Sequence, residues 1–135
     1  MYLTGFADEA GSDIDTQIKA VKTLGWKHVE MRNVGDKNLT HISDDDFKRV
    51  KEKLDNAGIK VSCFGSGIAN WAKKITDPAD SSYDEMKRAI PRMHAMGTTF
   101  IRIMSFALPA HSPLTDSATQ SEAIKRLKVI VKMAE

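Results

Sequence analysis

The chain has 135 residues, which is enough for one domain with its own hydrophobic core. Its 20 basic and 18 acidic side chains leave a net charge of +2, which does not favour a nucleic-acid or membrane surface. Cys63 is the single cysteine, so a disulfide framework is excluded and a reducing cytoplasm is the expected location. The apolar runs are too short to span a membrane, and the N-terminus does not read as a signal peptide.

The clearest pattern is a recurring unit in which apolar residues at helical spacing are followed by a glycine and then by a short segment of strand-forming residues. Gly25, Gly58 and Gly97 each fall where a helix needs positive φ to close its last turn. Their spacing is that of one strand and one helix. With the opening run of residues 2–7 as a further strand, the pattern predicts four parallel strands, each followed by a helix.

Four helices are predicted from cap residues and apolar stripes. Ser12 and Ser43 are the expected caps of the first two, and the third is expected to start near Ser81. Pro91 lies well inside the third helix, removes an intrahelical hydrogen bond and predicts a kink. The fourth pattern covers residues 124–134 and continues to the chain end.

The loops after the predicted strands are longer than the loops before them, which predicts a functional face at the carboxyl ends of the strands. The longer loops cover residues 8–12, 33–42, 66–80 and 107–117. Both an α/β barrel and an open doubly wound sheet place their sites at these ends. Since a (β/α)₈ barrel uses about 250 residues, four units predict half a barrel, with the rest of the site beyond this sequence.

Charged residues interrupt two strands that should be almost wholly apolar. His28, Glu30 and Arg32 share one face of the second predicted strand, and Arg102 faces inward on the fourth. Two interpretations of Glu30 and Arg102 are open. They form either an internal ion pair with a purely structural role or a pair that orients the substrate. In a barrel the two are expected within salt-bridge range, directly or through Arg32 or a water.

The predicted loops carry further candidates. Asp8 follows the first strand on its inward face and is a candidate for the site, with a solvated loop acid as the alternative. Residues 65–70 match part of a dinucleotide fingerprint, but its third glycine and following helix are missing. We therefore expect a flexible loop that brings Ser66 and Asn70 to the rim, with Trp71 either covering a ligand or packing on the mouth of the barrel.

The sequence offers no metal site. His28, His41, His94 and His111 lack the spacing of metal ligands. Cys63 alternates with polar residues and is expected to face the helices as a small apolar side chain rather than act as a reactive thiol.

Four motifs, in order, resemble the sugar phosphate isomerase/epimerase family within the xylose isomerase-like TIM barrels. They are the segments 5–10, 25–32, 58–66 and 101–106, and the resemblance extends over nearly the whole chain. It implies an eight-stranded barrel in which a divalent metal helps to shift a proton beside a sugar carbonyl. The metal ligands of the family lie on strands five to eight, outside this chain. The sequence departs from the family at Gly67, where proline is common, and at Pro91, where a helix former is expected.

The resemblance implies that this chain supplies substrate-facing residues. It points to Glu30, Arg32, Ser66 and Arg102, of which Glu30 is the candidate catalytic carboxylate, and Asp8 and Asn70 complete the candidate substrate-binding set. The expected partner is a sugar or sugar phosphate, with neither nucleic acid nor membrane involved. Residues 1–135 are expected to form a single N-terminal (βα)₄ half-barrel domain that is inactive alone and does not persist as a lone stable monomer. A second copy or the missing C-terminal half would cover its open strand edges.

Two alternatives stay open at this point. One is a non-catalytic half-barrel that works as a binding or assembly module. The other is a metal-dependent endonuclease for abasic DNA, which shares this barrel superfamily, although the missing basic stripe argues against it.

Overall fold

A computed structural model describes residues 1–109 and 116–135. Its elements are a 3₁₀ helix (Ala7–Glu9), α1 (Ile14–Thr23), β1 (His28–Met31), β2 (Asn33–Val34), β3 (Lys37–Asn38), α2 (Asp44–Ala57), β4 (Lys60–Gly65), α3 (Asp80–Met96), β5 (Ile101–Arg102) and α4 (Ser117–Ala134). The chain divides into two compact units. The first unit comprises Met1–Ser66 and Pro91–Arg102, and the second comprises Gly67–Ile90 and Ile103–Glu135. The prediction of a single half-barrel domain stays a prediction.

The first unit is built on a parallel sheet with the strand order β1-β4-β5. The opening run was expected to add a full strand, and this is wrong for the described residues. Only Phe6 forms a parallel bridge, to Glu30, beside a 2.9 Å hydrogen bond from the Glu30 N–H to the Gly5 carbonyl. Among the described residues no strand pairs with the outer edge of the run, and the chain turns into the 3₁₀ helix directly after Phe6. The opening segment still lies next to β1, as the barrel order requires.

The helix ends follow the predicted chemistry with small shifts. Ser43 caps α2 by accepting a hydrogen bond from the Asp46 N–H at 3.1 Å. The cap of α1 is Asp13 rather than Ser12, and it accepts from the Thr16 N–H at 2.9 Å. The predicted positive φ is found at all three unit-closing glycines, with values of 70°, 69° and 68° at Gly25, Gly58 and Gly97.

The two later helices differ more from the sequence pattern. α4 starts at Ser117, a full two turns before the predicted stripe, because the Asp116 carboxylate accepts from the Thr119 N–H at 3.2 Å and caps it. α3 starts at Asp80 and runs through Pro91 as one helix. The kink expected at Pro91 stays a prediction. His111 and its neighbours at 110–115 lie outside the described residues.

The core of the first unit explains why buried and half-buried side chains alternate along β1. Val29 and Met31 are buried, whereas His28 and Glu30 are half-buried on the other face. The same unit buries apolar side chains of α1, α2 and β4, which are Val21, Val50, Leu54, Val61 and Phe64. Each such side chain contributes about 1.5–3 kcal/mol when it leaves water. This packing fixes which residues of β1 turn away from the helices.

A register shift between β1 and β4 changes the position of Cys63. Val29 pairs with Val61, but the next pair is Glu30 with Cys63, so Ser62 is the extra residue of a bulge. Partners in a parallel ladder share a face, so Cys63 lies on the side of Glu30. The prediction that Cys63 faces the helices is wrong because simple alternation does not account for the bulge.

The second unit packs around buried apolar side chains of its own. They are Ile68, Ile75, Met86, Ala89, Phe106 and Ile130. Ala69 and Phe106 both have positive φ, at 54° and 67°, which is uncommon outside glycine. The Phe106 N–H donates to the Ala69 carbonyl at 2.7 Å, so a hydrogen bond joins the two residues that have positive φ. Across residues 1–109 and 116–135, no helix has the length and apolar character needed to cross a membrane.

Candidate functional site

The inward face of the first unit gathers polar side chains around one aromatic ring. We call Phe6, Asp8, Arg32, Ser66 and Arg102 the Phe6 cluster. Arg32 follows β1, Ser66 follows β4, and Arg102 ends β5. Because the carboxyl ends of parallel strands meet at one edge of a sheet, residues distant in sequence come together here. Four of the six predicted site residues belong to this cluster.

Asp8 is a buried partner of Arg32. Its side chain is 6% exposed, and its Oδ2 accepts from Arg32 Nε at 2.8 Å and from Asn33 Nδ2 at 2.8 Å. Arg32 Nη2 also lies 3.5 Å from the Glu9 carboxylate. The hydrogen bond that the Arg32 guanidinium donates to Asp8 is the main cause of its raised pKa. The alternative of a solvated loop acid is therefore wrong for Asp8.

The Phe6 ring lies against two guanidinium groups. The Arg32 carbon Cζ is 4.5 Å from the ring centroid, and that of Arg102 is 5.1 Å from it. Each distance is within the range of a cation–π contact, worth about 0.5–2 kcal/mol. Phe6 therefore holds both cations at the same edge of the sheet.

Gly65 makes room for this arrangement. A Cβ at this position would lie 2.9 Å from Cβ of Arg32 and 3.1 Å from Cε1 of Phe6. The Asn38 side chain also donates to the Gly65 carbonyl at 2.8 Å. The sequence pattern indicated only a loop at Gly65, and it did not indicate Phe6 as a site residue. A glycine at the end of a strand is itself a signal of a close approach.

Two hydrogen bonds join Ser66 and Arg102. The Ser66 hydroxyl donates to the Arg102 carbonyl at 2.7 Å, and Arg102 Nη2 donates to the Ser66 carbonyl at 2.9 Å. The predicted direct ion pair between Glu30 and Arg102 is wrong, since none joins them in the part of the chain that the structure describes. The Ser66 carbonyl and the Phe6 ring hold the guanidinium instead.

Glu30 lies on the inward face without a side-chain partner among the described residues. It is half-buried, and its ladder partner is Cys63. Burial, and then the nearby charge of Glu30, raise the pKa of the Cys63 thiol. Cys63 is therefore a protonated neighbour of Glu30 at neutral pH.

Asn70 and Trp71 belong to the second unit. The Asn70 side chain accepts from the Ala72 N–H at 3.1 Å, which closes a local turn. Trp71 is 82% exposed, so packing does not account for its position. A substrate-binding role for Asn70 stays a prediction.

The acidic and histidine side chains that the structure describes do not form a metal cage. No group of three His, Cys, Asp or Glu side chains within residues 1–109 and 116–135 could hold a metal ion. Asp8 is engaged by Arg32 and Asn33, and His28 stacks on Tyr2 with ring centroids 3.9 Å apart. The residues of this inward face therefore do not fit a divalent metal.

The first unit also has a cavity of about 450 Å³ between α1, the β2–β3 hairpin and α2. Its charged lining is largely self-paired, with Asp15 2.6 Å from Lys53 and Asp46 paired with Arg49. None of its lining residues belongs to the Phe6 cluster. We therefore place the candidate site at the Phe6 cluster.

A sequence model of the xylose isomerase-like TIM barrels matches residues 18–135. The chain belongs to this family. The family resemblance noted in the sequence is thereby confirmed. None of the curated proteins compared with the chain matches it in sequence.

Solved structures of xylose isomerase-like barrels share the fold. A xylose isomerase-like TIM barrel protein from Mycobacterium smegmatis, in complex with magnesium, has a TM-score of 0.70 at 16% identity over 98% of this chain. D-psicose 3-epimerase with D-tagatose, from Clostridium cellulolyticum H10, has 0.69 at 15% identity over 99%. The 3-keto-D-glucoside 4-epimerase of E. coli has 0.64 at 17% identity over 97%.

The chain spans about half the length of these structures, at 51%, 48% and 50%. The α/β fold class is confirmed, with parallel strands that alternate with helices as in part of a TIM barrel. The Phe6 cluster of this chain lies at the carboxyl ends of its parallel strands, the end at which TIM barrels carry their active sites.

Proposed function

We propose that this chain supplies part of the substrate site of a sugar isomerase or epimerase that moves a proton beside a sugar carbonyl. The observation that carries the proposal is the Phe6 cluster, a half-buried group of polar side chains at the catalytic end of a xylose isomerase-like fold. Two of the structural neighbours are sugar epimerases, which supports a sugar as the ligand.

Each member of the cluster has a separate part in this proposal. Arg32 donates to sugar oxygens, and Asp8 holds its guanidinium in place. Ser66 positions Arg102, and Phe6 carries both cations on its ring. Asn70 is proposed as a further contact at the rim. Side chains locked by such contacts keep the geometry that orientation of a substrate requires.

Glu30 is the proposed catalytic carboxylate. It is half-buried on the face of the Phe6 cluster and carries no ion pair among the described residues. A carboxylate in this state can accept or return a proton when a substrate carbon lies within reach. Carboxylates of the other barrel half would share the proton transfer.

A divalent metal is proposed for the complete barrel, because one neighbour was crystallised with magnesium. Its ligands would lie outside these residues, which form no metal cage within the described ranges. We assign no metal-dependent step to side chains of this chain. Cytoplasmic location is also part of the proposal, since the single cysteine is free.

The exposed edges of the sheet are the proposed binding surface for a partner. Tyr2, Leu3 and Phe100 are exposed apolar side chains, the first two within the opening run and the third just before β5. Exposed strand edges with apolar side chains favour pairing with another chain or segment. We propose that the remaining half of the barrel, or a second copy, covers them.

The proposal predicts solvent exchange only in a complete barrel. A barrel with strands five to eight supplied in trans or in a longer reading frame should, with magnesium added, incorporate deuterium beside the carbonyl of D-tagatose. Residues 1–135 alone should show neither exchange by NMR nor stoichiometric metal by elemental analysis. Glu30→Gln in the complete barrel should slow exchange about tenfold, since other carboxylates share the proton transfer.

Glu52→Gln is the matched control, because Glu52 is an exposed carboxylate on α2, and it should leave exchange unchanged. Exchange or stoichiometric metal in residues 1–135 alone would contradict the proposal. A complete barrel that binds the sugar without exchange would instead support the binding-module alternative.

A further inference from the structure

Asn38, at the end of β3, uses the full hydrogen-bonding capacity of its side chain. Its Oδ1 accepts from the Thr40 N–H at 3.1 Å and from the Thr40 hydroxyl at 2.7 Å. Its Nδ2 donates to the Gly65 carbonyl at 2.8 Å and, over a longer 3.4 Å, to Asn33 Oδ1. A carbonyl can only accept and a backbone N–H can only donate, so these partners fix the orientation of the amide.

The bond from Asn38 to Asn33 begins a path to Arg32. Asn33 Nδ2 donates to Asp8 Oδ2 at 2.8 Å, and the same oxygen accepts from Arg32 Nε at 2.8 Å. Because Asn38 holds Asn33 Oδ1, the Asn33 amide is kept with its nitrogen towards Asp8. The opposite orientation would set two acceptor oxygens against each other, since an ionised carboxylate has no donor. Asn38 therefore sets Arg32 through Asn33 and Asp8.

The bond from Asn38 to Gly65 begins a path to Arg102. Because a peptide group is planar, a hydrogen bond that holds the Gly65 carbonyl also holds the Ser66 nitrogen. The Ser66 hydroxyl donates to the Arg102 carbonyl at 2.7 Å, and the Ser66 carbonyl accepts from Arg102 Nη2 at 2.9 Å. Asn38 therefore sets Arg102 through Gly65 and Ser66.

We propose that Asn38 is a positioning residue that sets both arginines of the Phe6 cluster from one side chain. Within the described ranges its amide is hydrogen-bonded to neither guanidinium, so it acts through other residues. The inference rests on the proposed function only for the view that Arg32 and Arg102 contact a substrate. Side chains held from behind in this way keep the geometry that a binding site requires.

The test uses proton–nitrogen NMR spectra of the arginine Nε–H groups in the 135-residue chain, together with their exchange with water. The Arg32 Nε–H should exchange slowly in the unaltered chain, because its acceptor, Asp8, is buried. Asn38→Ala should speed this exchange about tenfold or more, since the acceptor loses its support. It should also shift the Nε–H signal of Arg102.

Variants in the two paths separate a positioning role from a general structural one. Asn33→Ala should move the signal of Arg32 and leave that of Arg102 in place, whereas Ser66→Ala should do the reverse. Asn56→Ala is the matched control, because Asn56 is an exposed asparagine on α2, and it should move neither signal. Only the Asn38 variants are expected to move both.

Asn38→Asp keeps the shape of the side chain and its acceptors for Thr40 but removes both donors, so it should move both arginine signals even if Asn38→Ala does not fold. Leu54→Ala opens a gap in the core of the same unit and controls for a general loss of stability, so it should leave both signals in place.

The inference would be overturned if the Asn38 variants moved only one arginine signal or neither, or if Leu54→Ala gave the same changes. These signals need no sugar. A complete barrel that showed no solvent exchange beside the carbonyl of D-tagatose would therefore reject the proposed function and leave the positioning role of Asn38 standing.

Discussion

Replacing Glu85 with Gln should lower the free energy of unfolding by about 3 kcal/mol, because it removes the buried member of an ion pair and leaves the half-buried Lys73 without its counter-charge. The Glu85 side chain, on α3, is 1% exposed and lies 2.6 Å from Lys73 Nζ. Its other oxygen accepts from the Gly67 N–H at 2.8 Å, and Lys73 Nζ also donates to the Gly67 carbonyl at 3.1 Å. The pair thus fixes the start of the loop that follows β4.

Urea unfolding followed by circular dichroism measures the effect. Asp84→Asn is the matched control, because Asp84 is the next residue back on the same helix and forms an exposed pair with Lys87 at 2.9 Å. Exposed pairs of this kind contribute at most about 1 kcal/mol. Equal losses of unfolding free energy for the two variants would show that burial does not make the Glu85–Lys73 pair stronger than an exposed pair.

Replacing Arg92 with Met should cost roughly 3 kcal/mol, mainly because two buried carbonyl groups lose their donor. Arg92 is on α3 and its side chain is 7% exposed. It donates to the carbonyls of Leu39 and Ile42 and lies 2.6 Å from the Asp44 carboxylate, at the start of α2. It also lies over the Phe47 ring, 4.9 Å from the centroid.

Methionine retains much of the apolar volume of the arginine stem, so the loss measured in urea reports chiefly on the hydrogen bonds. Arg49→Met on α2 is the control, since Arg49 is an exposed arginine with a local pair. A surface substitution of that kind changes stability by about 0.5 kcal/mol or less. A loss below about 1 kcal/mol for Arg92→Met would contradict the role assigned to its hydrogen bonds.

Local chemistry made much of the fold predictable. The positive φ at Gly58 and the cap at Ser43 follow from interactions within one turn, which the sequence displays directly. The opening strand was mispredicted because only Phe6 bridges to Glu30 and the chain turns into the 3₁₀ helix at Ala7, and such an early turn leaves no signal in the apolar pattern. Cys63 was mispredicted because one bulge, at Ser62, reverses the alternation that the prediction assumed.

The site was predictable in its members but not in its pairings. Strand alternation placed Arg32 and Arg102 on the inward face, and Asp8 on the same side. It did not show that Asp8 takes Arg32 as its partner while Glu30 and Arg102 stay apart, because pairing depends on distances between loops. Arg92 was missed for the same reason, since its carbonyl partners lie about 50 residues earlier in the chain.

A map of where a sugar binds tests whether the Phe6 cluster is a substrate site. Amide proton–nitrogen NMR spectra of the 135-residue chain, titrated with D-fructose 6-phosphate to tens of millimolar, locate the contact without any need for catalysis. We expect the chemical-shift changes to concentrate at Phe6, Glu30, Arg32, Ser66 and Arg102. Shifts confined to the charged cavity between α1 and α2, or no shifts at all, would contradict the claim that the Phe6 cluster is a sugar site.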